Sequence, residues 1–168
     1  MSEVTYRIAV EDDYPIVKTY YEKLDALFRD LNLRLPKPED VGQAWMDSFQ
    51  RTLGRYSKLW VAELDGEVVA FLLARVKRAP PFMGGVLVGE LADEWVEPQA
   101  RRMGIADKLC RFGFEWLREM DVHSVEIRIL KGNDASWAML EPMGFTHELT
   151  QYRVTWDKYI PEKSDHDD

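Results

Sequence analysis

VEPQARRMGIADKL, residues 96–109, decides how the chain is read. A Val-Glu-Pro strand end runs into two arginines and a glycine, and an amphipathic helix begins at once. A helix start needs only a cap and good helix formers. Arg101 and Arg102 instead put two positive charges in the first turn, where the helix dipole disfavours them. Either they face water or they await an anion. Gly104 removes a side chain and Ala106 offers only a methyl, so an anion has room to approach first-turn N–H groups that lack partners inside the helix. The arginines then supply charge-assisted contacts to it. The physical reading is a pyrophosphate cradle.

The elements around this stretch follow from periodicity. Upstream, VLVGELADEWVE reads as a long fourth strand. Before it, LWVAEL and VVAFLLARV are two β-rich runs joined by Asp65-Gly66, a strong hairpin signal. Thr5 to Val10 alternates as a first strand. Ile16, Tyr20, Leu24, Leu27 and Leu31 make one helical stripe, with Asp12 or Asp13 as cap and Pro15 in the first turn. NLRLPKPED is a loop, and a second helix is expected over about 38–53, with Val41, Trp45, Phe49 and Leu53 on one face. Downstream, Ile105, Leu109, Phe112, Trp116 and Met120 stripe a helix over about 102–120. SVEIRIL is a strand, Gly132-Asn133-Asp134 caps a short helix ending near Gly144, and FTHELTQYRVTW closes the fold as one or two strands. The order is mixed α/β, with a hairpin in the first half and βαβ character in the second.

The 168 residues make one domain over 1–160, with an acidic, frayed tail over 161–168. A 46% share of hydrophobic residues is enough for a real core and excludes wholesale disorder. The formal charge of −8 argues against nucleic acid as a partner. No apolar run reaches the roughly 20 residues of a membrane span, so no membrane partner is expected. The N-terminus lacks a secretion pattern and Cys110 is the single cysteine, which points to the cytoplasm. His123, His147 and His166 have no metal-ligand spacing, and no metal is expected. No G-x-x-x-x-G-K-[ST] occurs, nor a G-x-G-x-x-G after a strand, which disfavours phosphate-loop and dinucleotide sites.

A second element, NDASWAMLEPMGF at 133–145, stands in register with the first. Val96-Glu97-Pro98, Arg101-x-x-Gly104-x-Ala106, Asn133-x-x-Ser136 and Gly144-Phe145 together resemble the GNAT superfamily of acyl-CoA-dependent N-acyltransferases. The resemblance covers residues 60–147, with the first 57 residues matching only in element order. It implies a central, mostly antiparallel sheet of six to seven strands with a parallel splayed pair, flanked by about four helices. It also implies acetyl-CoA as co-substrate and a small-molecule or peptide amine as acceptor. Dimers are common in the family, so a homodimer stays open.

By the same resemblance, the backbone of Arg101, Arg102, Met103, Gly104, Ile105 and Ala106 holds the pyrophosphate. Trp95 and Val96 pair with the pantetheine arm and offer an N–H to the thioester oxygen. Asn133 contacts the pantetheine, although a helix cap explains an asparagine there equally well. A lysine-like amine has a pKa near 10.4 and needs a base, or a water chain ending in one. Glu90, Asp93 and Glu94 are the candidates for it on the fourth strand, and the first and last are preferred. Glu90 stands eleven residues before Arg101, the spacing of the base in the histone-acetylating branch, and Glu94 shares its face if no bulge intervenes. These two are the candidate catalytic residues. The family tyrosine that protonates the departing thiolate is replaced by Leu140. Water or Tyr152 is left to serve, and a non-catalytic acyl-CoA-binding or regulatory module is the alternative reading.

Overall fold

Asp65 and Gly66 both take left-handed backbone, at φ 54° and 87°, the conformation a two-residue hairpin turn demands. That turn joins β2 (Ser57–Leu64) to β3 (Glu67–Arg78) in the structure, a computed structural model that describes residues 2–162. The other elements are β1 (Val4–Ile8), α1 (Tyr14–Asp30), α2 (Val41–Phe49), β4 (Leu87–Val96), α3 (Ile105–Glu119), β5 (Ser124–Glu126) and α4 (Asp134–Leu140). The expected tail over 161–168 lies outside the described residues apart from its first two.

The strands form one sheet in the order β1-β2-β3-β4-β5, antiparallel except for the parallel β4–β5 pair. Each face carries its own core. Val17, Tyr20, Leu24, Trp45 and Phe49 of α1 and α2 pack on Leu59, Val61, Phe71 and Leu73. Ile105, Leu109, Trp116 and Leu117 of α3, with Leu140 of α4, pack on Leu72, Ala74 and Leu91. Glycine sets how closely α3 seats. A Cβ on Gly113 would lie 2.8 Å from Leu91 Cδ2, and one on Gly89 would lie 2.8 Å from Leu117 Cδ2.

Five strands, among the described residues, replace the expected six to seven. SVEIRIL contributes only Ser124–Glu126, and FTHELTQYRVTW contributes none. A strand needs a partner ladder for its backbone groups. β5 keeps register with β4 over just three residues and offers no longer edge to build on. Leu149, Tyr152, Val154 and Trp156 are exposed, so the alternation there has no buried face to serve. The helices are shorter than expected for a simpler reason. Residues 50–52 form a single 3-10 turn after α2, and 102–104 are a turn before α3.

Candidate functional site

The seam between β4 and α3 is an open turn. Past Val96 the chain makes one 3-10 turn at Pro98–Ala100, and Arg101 is extended. Arg102 and Gly104 both take positive φ, at 63° and 75°. For Arg102 that conformation costs roughly 1–2 kcal/mol, a strain the turn has to absorb. Residues 101–104 are exposed, and a Cβ built on Gly104 meets nothing within 4 Å. The first backbone bond made by an N–H here is Lys108 to Gly104 O, at 3.1 Å. The N–H groups from Arg102 to Asp107 therefore have no backbone partner among the described residues, at the positive end of a 15-residue helix.

Neither arginine pairs with a carboxylate among the described residues. Arg101 instead donates from Nε to Val96 O at 3.0 Å and lays its guanidinium 5.1 Å from the centre of the Trp95 ring. It thus ties the turn to the strand end. Beside it, β4 and β5 part company: their last paired residues are Glu90 and Glu126, so Leu91 to Val96 have no partner on that edge. Beyond Glu90, this edge of β4 is free backbone that runs into the Gly104 turn.

The three strand carboxylates do not share a face. Leu73 pairs with Asp93 but Ala74 pairs with Leu91, so Ala92 is an extra residue, a β-bulge. The condition for Glu94 to lie beside Glu90 is therefore not met. Glu90, Asp93 and Trp95 lie opposite Arg75, Leu73 and Phe71, under α1 and α2. Leu91, Glu94 and Val96 face α3.

Their surroundings differ as much as their faces. Glu90 is buried, accepting from Arg75 Nε at 2.5 Å and from Lys77 Nζ at 3.4 Å. Burial disfavours its charge, yet Arg75 and Lys77 win and hold the carboxyl below its ordinary value. Its proton affinity is spent on two cations. Glu94 accepts from Cys110 Sγ at 3.6 Å, and desolvation pushes it up to about 8. Burial also pushes the Cys110 thiol up, with Glu94 adding to the effect, so this cysteine is a packing residue rather than a nucleophile. Asp93 accepts from Trp45 Nε1 at 2.9 Å. Desolvation raises it to about 6, against the opposing pull of Trp45 and Arg75. Asp93 and Glu94 each keep some accessible surface, but both are set deep enough for desolvation to dominate.

Asp93 is one of the three candidate bases in the sequence, but the spacing and strand parity preferred Glu90 and Glu94 to it. It was visible as a strand carboxylate, but no pattern in ELADEW announces a bulge. Trp45 read as core stripe, which it is, and in the structure it also makes a polar contact across 48 residues. Tyr21 stacks on it at 4.4 Å and 9°. Asn133 caps α4, its side-chain oxygen accepting from Ser136 N at 3.4 Å, and its amide nitrogen has no partner among the described residues. Leu140 is 0% exposed and fills the core, while Tyr152 is 90% exposed. An open groove of about 530 Å³ lies between α1 and the loop into α2, lined by Glu22, Lys37, Glu39, Asp40 and Val41. Among the described residues no group of three His, Cys, Asp or Glu side chains is placed to hold a metal ion, and no helix is long and apolar enough to cross a membrane.

The sequence model of the acetyltransferase (GNAT) family matches residues 21–145, a span that takes in the Gly104 turn, β4 and α2. Curated protein sequences give no match. Solved structures do. A predicted acetyltransferase from Clostridium acetobutylicum, determined with acetyl-CoA, aligns at a TM-score of 0.74 and 17% identity over 94% of this chain and 99% of its own. A transcriptional regulator from Bacillus halodurans C-125 aligns at 0.71 and 19% over 92% and 100%. An aminoglycoside N-acetyltransferase, AAC(6')-Iy, in complex with CoA, aligns at 0.69 and 18% over 92% and 96%. At such identities the likeness is one of fold.

Proposed function

The chain belongs to the GNAT acetyltransferase family, and from that premise we propose that it moves an acetyl group from acetyl-CoA to a primary amine by direct attack. The observation that carries the reading is the empty space at Gly104, set between the free edge of β4 and the head of α3. Arg101, Arg102, Met103, Gly104, Ile105 and Ala106 would take the pyrophosphate on backbone N–H groups, with the two guanidinium groups at hand. Trp95 and Val96 would pair with the pantetheine arm, and an N–H of the bulged strand would stabilise charge on the thioester oxygen. Bound there, acetyl-CoA supplies an activated acyl group with a tolerable leaving thiolate. The acceptor is a small-molecule or peptide amine. Aminoglycoside acetyltransferases among the structural neighbours support that class.

The test is thermal. Acetyl-CoA at a hundredfold excess over its Kd should stabilise the fold by about 2.7 kcal/mol and raise Tm accordingly. No shift with any CoA thioester rejects the reading, and an equal shift with inorganic phosphate reduces the site to a generic anion cradle. The buried Leu140 favours one second reading, a CoA-binding module without turnover. Thiol release above background in the presence of an amine eliminates it.

A further inference from the structure

The chemistry proposed above needs a proton acceptor, and the geometry points to Asp93, held in place by Trp45, as the group that takes the proton from the acceptor amine. The inference rests on the acetyltransferase reading and names a residue that neither the family spacing nor the strand pattern selects. Three observations meet on one face of β4. The Ala92 bulge turns Asp93 toward α1 and α2, beside Glu90 and away from Glu94. One Asp93 oxygen is fixed by Trp45 Nε1, and the indole is itself fixed by Tyr21, Phe49 and Phe71. The other oxygen accepts no bond from the protein and is not sealed off, since Trp95 Nε1 is the one sealed side-chain polar atom without a partner among the described residues.

Trp95 is the independent sign of a ligand. Its unpaired N–H sits on the same strand face, two residues beyond Asp93. A buried donor left unsatisfied costs roughly 1–3 kcal/mol, a cost removed when a bound carbonyl or hydroxyl accepts from it. The face thus carries one accessible acceptor, the free Asp93 oxygen, and one sealed, unpaired donor two residues on, along the strand whose free edge leads to Gly104.

The competing carboxylates are disqualified by what they touch. Glu90 is neutralised by Arg75 and Lys77. Glu94 faces α3 and contacts Cys110. The charged groups that act on Asp93 are Arg75 and Glu90 within the sheet; Tyr21 on α1 feels the Asp93 charge, and Asp25 and Arg29 act on Tyr21. Asp25 and Arg29 pair with each other, which leaves Arg75 as the cation nearest in effect, and it is itself shared with Glu90.

In the step, the amine nitrogen bonds to the thioester carbonyl carbon and becomes acidic. Asp93 takes one proton from it, the C–S bond breaks, and the thiolate leaves with the electron pair and is protonated from water. Asp93 then returns its proton to solvent.

The experiment follows thiol release from acetyl-CoA with spermidine, kanamycin and a lysine-containing peptide as acceptors. Asp93→Asn should lower kcat about 10²-fold or more, the scale of a lost general base, while acetyl-CoA still raises Tm. The wild-type rate should rise through an acidic limb near pH 6, and Trp45→Phe should move that limb upward because the indole bond favours the charged form. Turnover retained in Asp93→Asn, or an acidic limb removed by Glu94→Gln instead, overturns the inference and leaves the acetyltransferase reading standing. A wild type that binds acetyl-CoA and turns over none of the three amines overturns both. If Asp93→Asn does not fold, the Trp45 indole N–H resonance, assigned by its loss in Trp45→Phe, carries the test. It should titrate with a midpoint near pH 6, and a flat trace refutes the proposal.

Discussion

The turn at the head of α3 and the face of β4 beneath α2, the two halves of the proposed site, are built on opposite principles. The turn offers backbone. Its instrument is the absence of a side chain at Gly104, and its neighbours along the chain supply everything else. The face offers side chains brought from α1, α2 and β4, and its central contact joins Trp45 to Asp93 across 48 residues. A site of the first kind leaves a local mark in sequence, and a site of the second kind does not.

The strongest way to break this contrast is at Gly104. Gly104→Glu fills the cradle and adds a repelling carboxylate, and should lower acetyl-CoA affinity at least about 100-fold, near 3 kcal/mol. Gly104→Ala is the control. Its φ of 75° strains any L residue by roughly 1–2 kcal/mol, but its methyl meets nothing within 4 Å. It should therefore lose stability and keep binding, as melts with and without acetyl-CoA would show. In both variants Asp93 should titrate as in the wild type, because a side chain built at Gly104 meets neither Asp93 nor Trp45.

That division explains what was legible. The Asp65-Gly66 hairpin, the stripe of α3 and the Gly104 turn are local features, and each stands where the residues put it. β5 and the last strands were overcalled because alternation in SVEIRIL and FTHELTQYRVTW describes a strand without guaranteeing a partner. The faces of the carboxylates were not legible for a subtler reason. One extra residue, Ala92, exchanges the faces of everything after it, and alanine bears no sign of a bulge. Strand parity then pairs Glu90 with the wrong neighbour.

A milder perturbation separates the halves through the scaffold. A Cβ on Gly113 would sit 2.8 Å from Leu91 Cδ2 and 3.0 Å from Leu72 Cδ2, so Gly113→Val must lift α3 off the sheet. Overpacking of this kind costs about 2 kcal/mol. Urea unfolding should show that loss, and acetyl-CoA affinity should fall with it because the cradle is the end of α3. The Trp45–Asp93 contact, on the far face, should be untouched. An altered indole resonance would mean the faces are coupled.

Asp93 makes a smaller and oppositely signed prediction. Its carboxyl is raised to about 6 in the folded protein, against about 3.9 for an unfolded aspartate. Between those values the folded chain holds more protons than the unfolded one, so stability falls as pH rises from about 4 to 6. Asparagine carries no such penalty. Asp93→Asn should match the wild type near pH 4 and exceed it above pH 6 by on the order of 1 kcal/mol, in the same variant that loses turnover. Equal stability at both pH values would show that the carboxylate is better solvated than its surroundings imply.

The smallest effect concerns Asn133, where the local and the assembled readings meet. Its side chain accepts from Ser136 N and so caps α4, while its amide N–H groups stay available to a ligand arm lying along the free edge of β4. Glycine is nearly as good a cap, so Asn133→Gly should cost only a few tenths of a kcal/mol in stability. Asparagine's amide has no substitute. If it touches the pantetheine, the same variant should weaken acetyl-CoA about three- to tenfold, the worth of one hydrogen bond. Isothermal titration beside a urea melt reads both quantities on one protein. A change in stability with affinity intact would return Asn133 to the cap alone, and would leave the Gly104 turn holding the donor without help from α4.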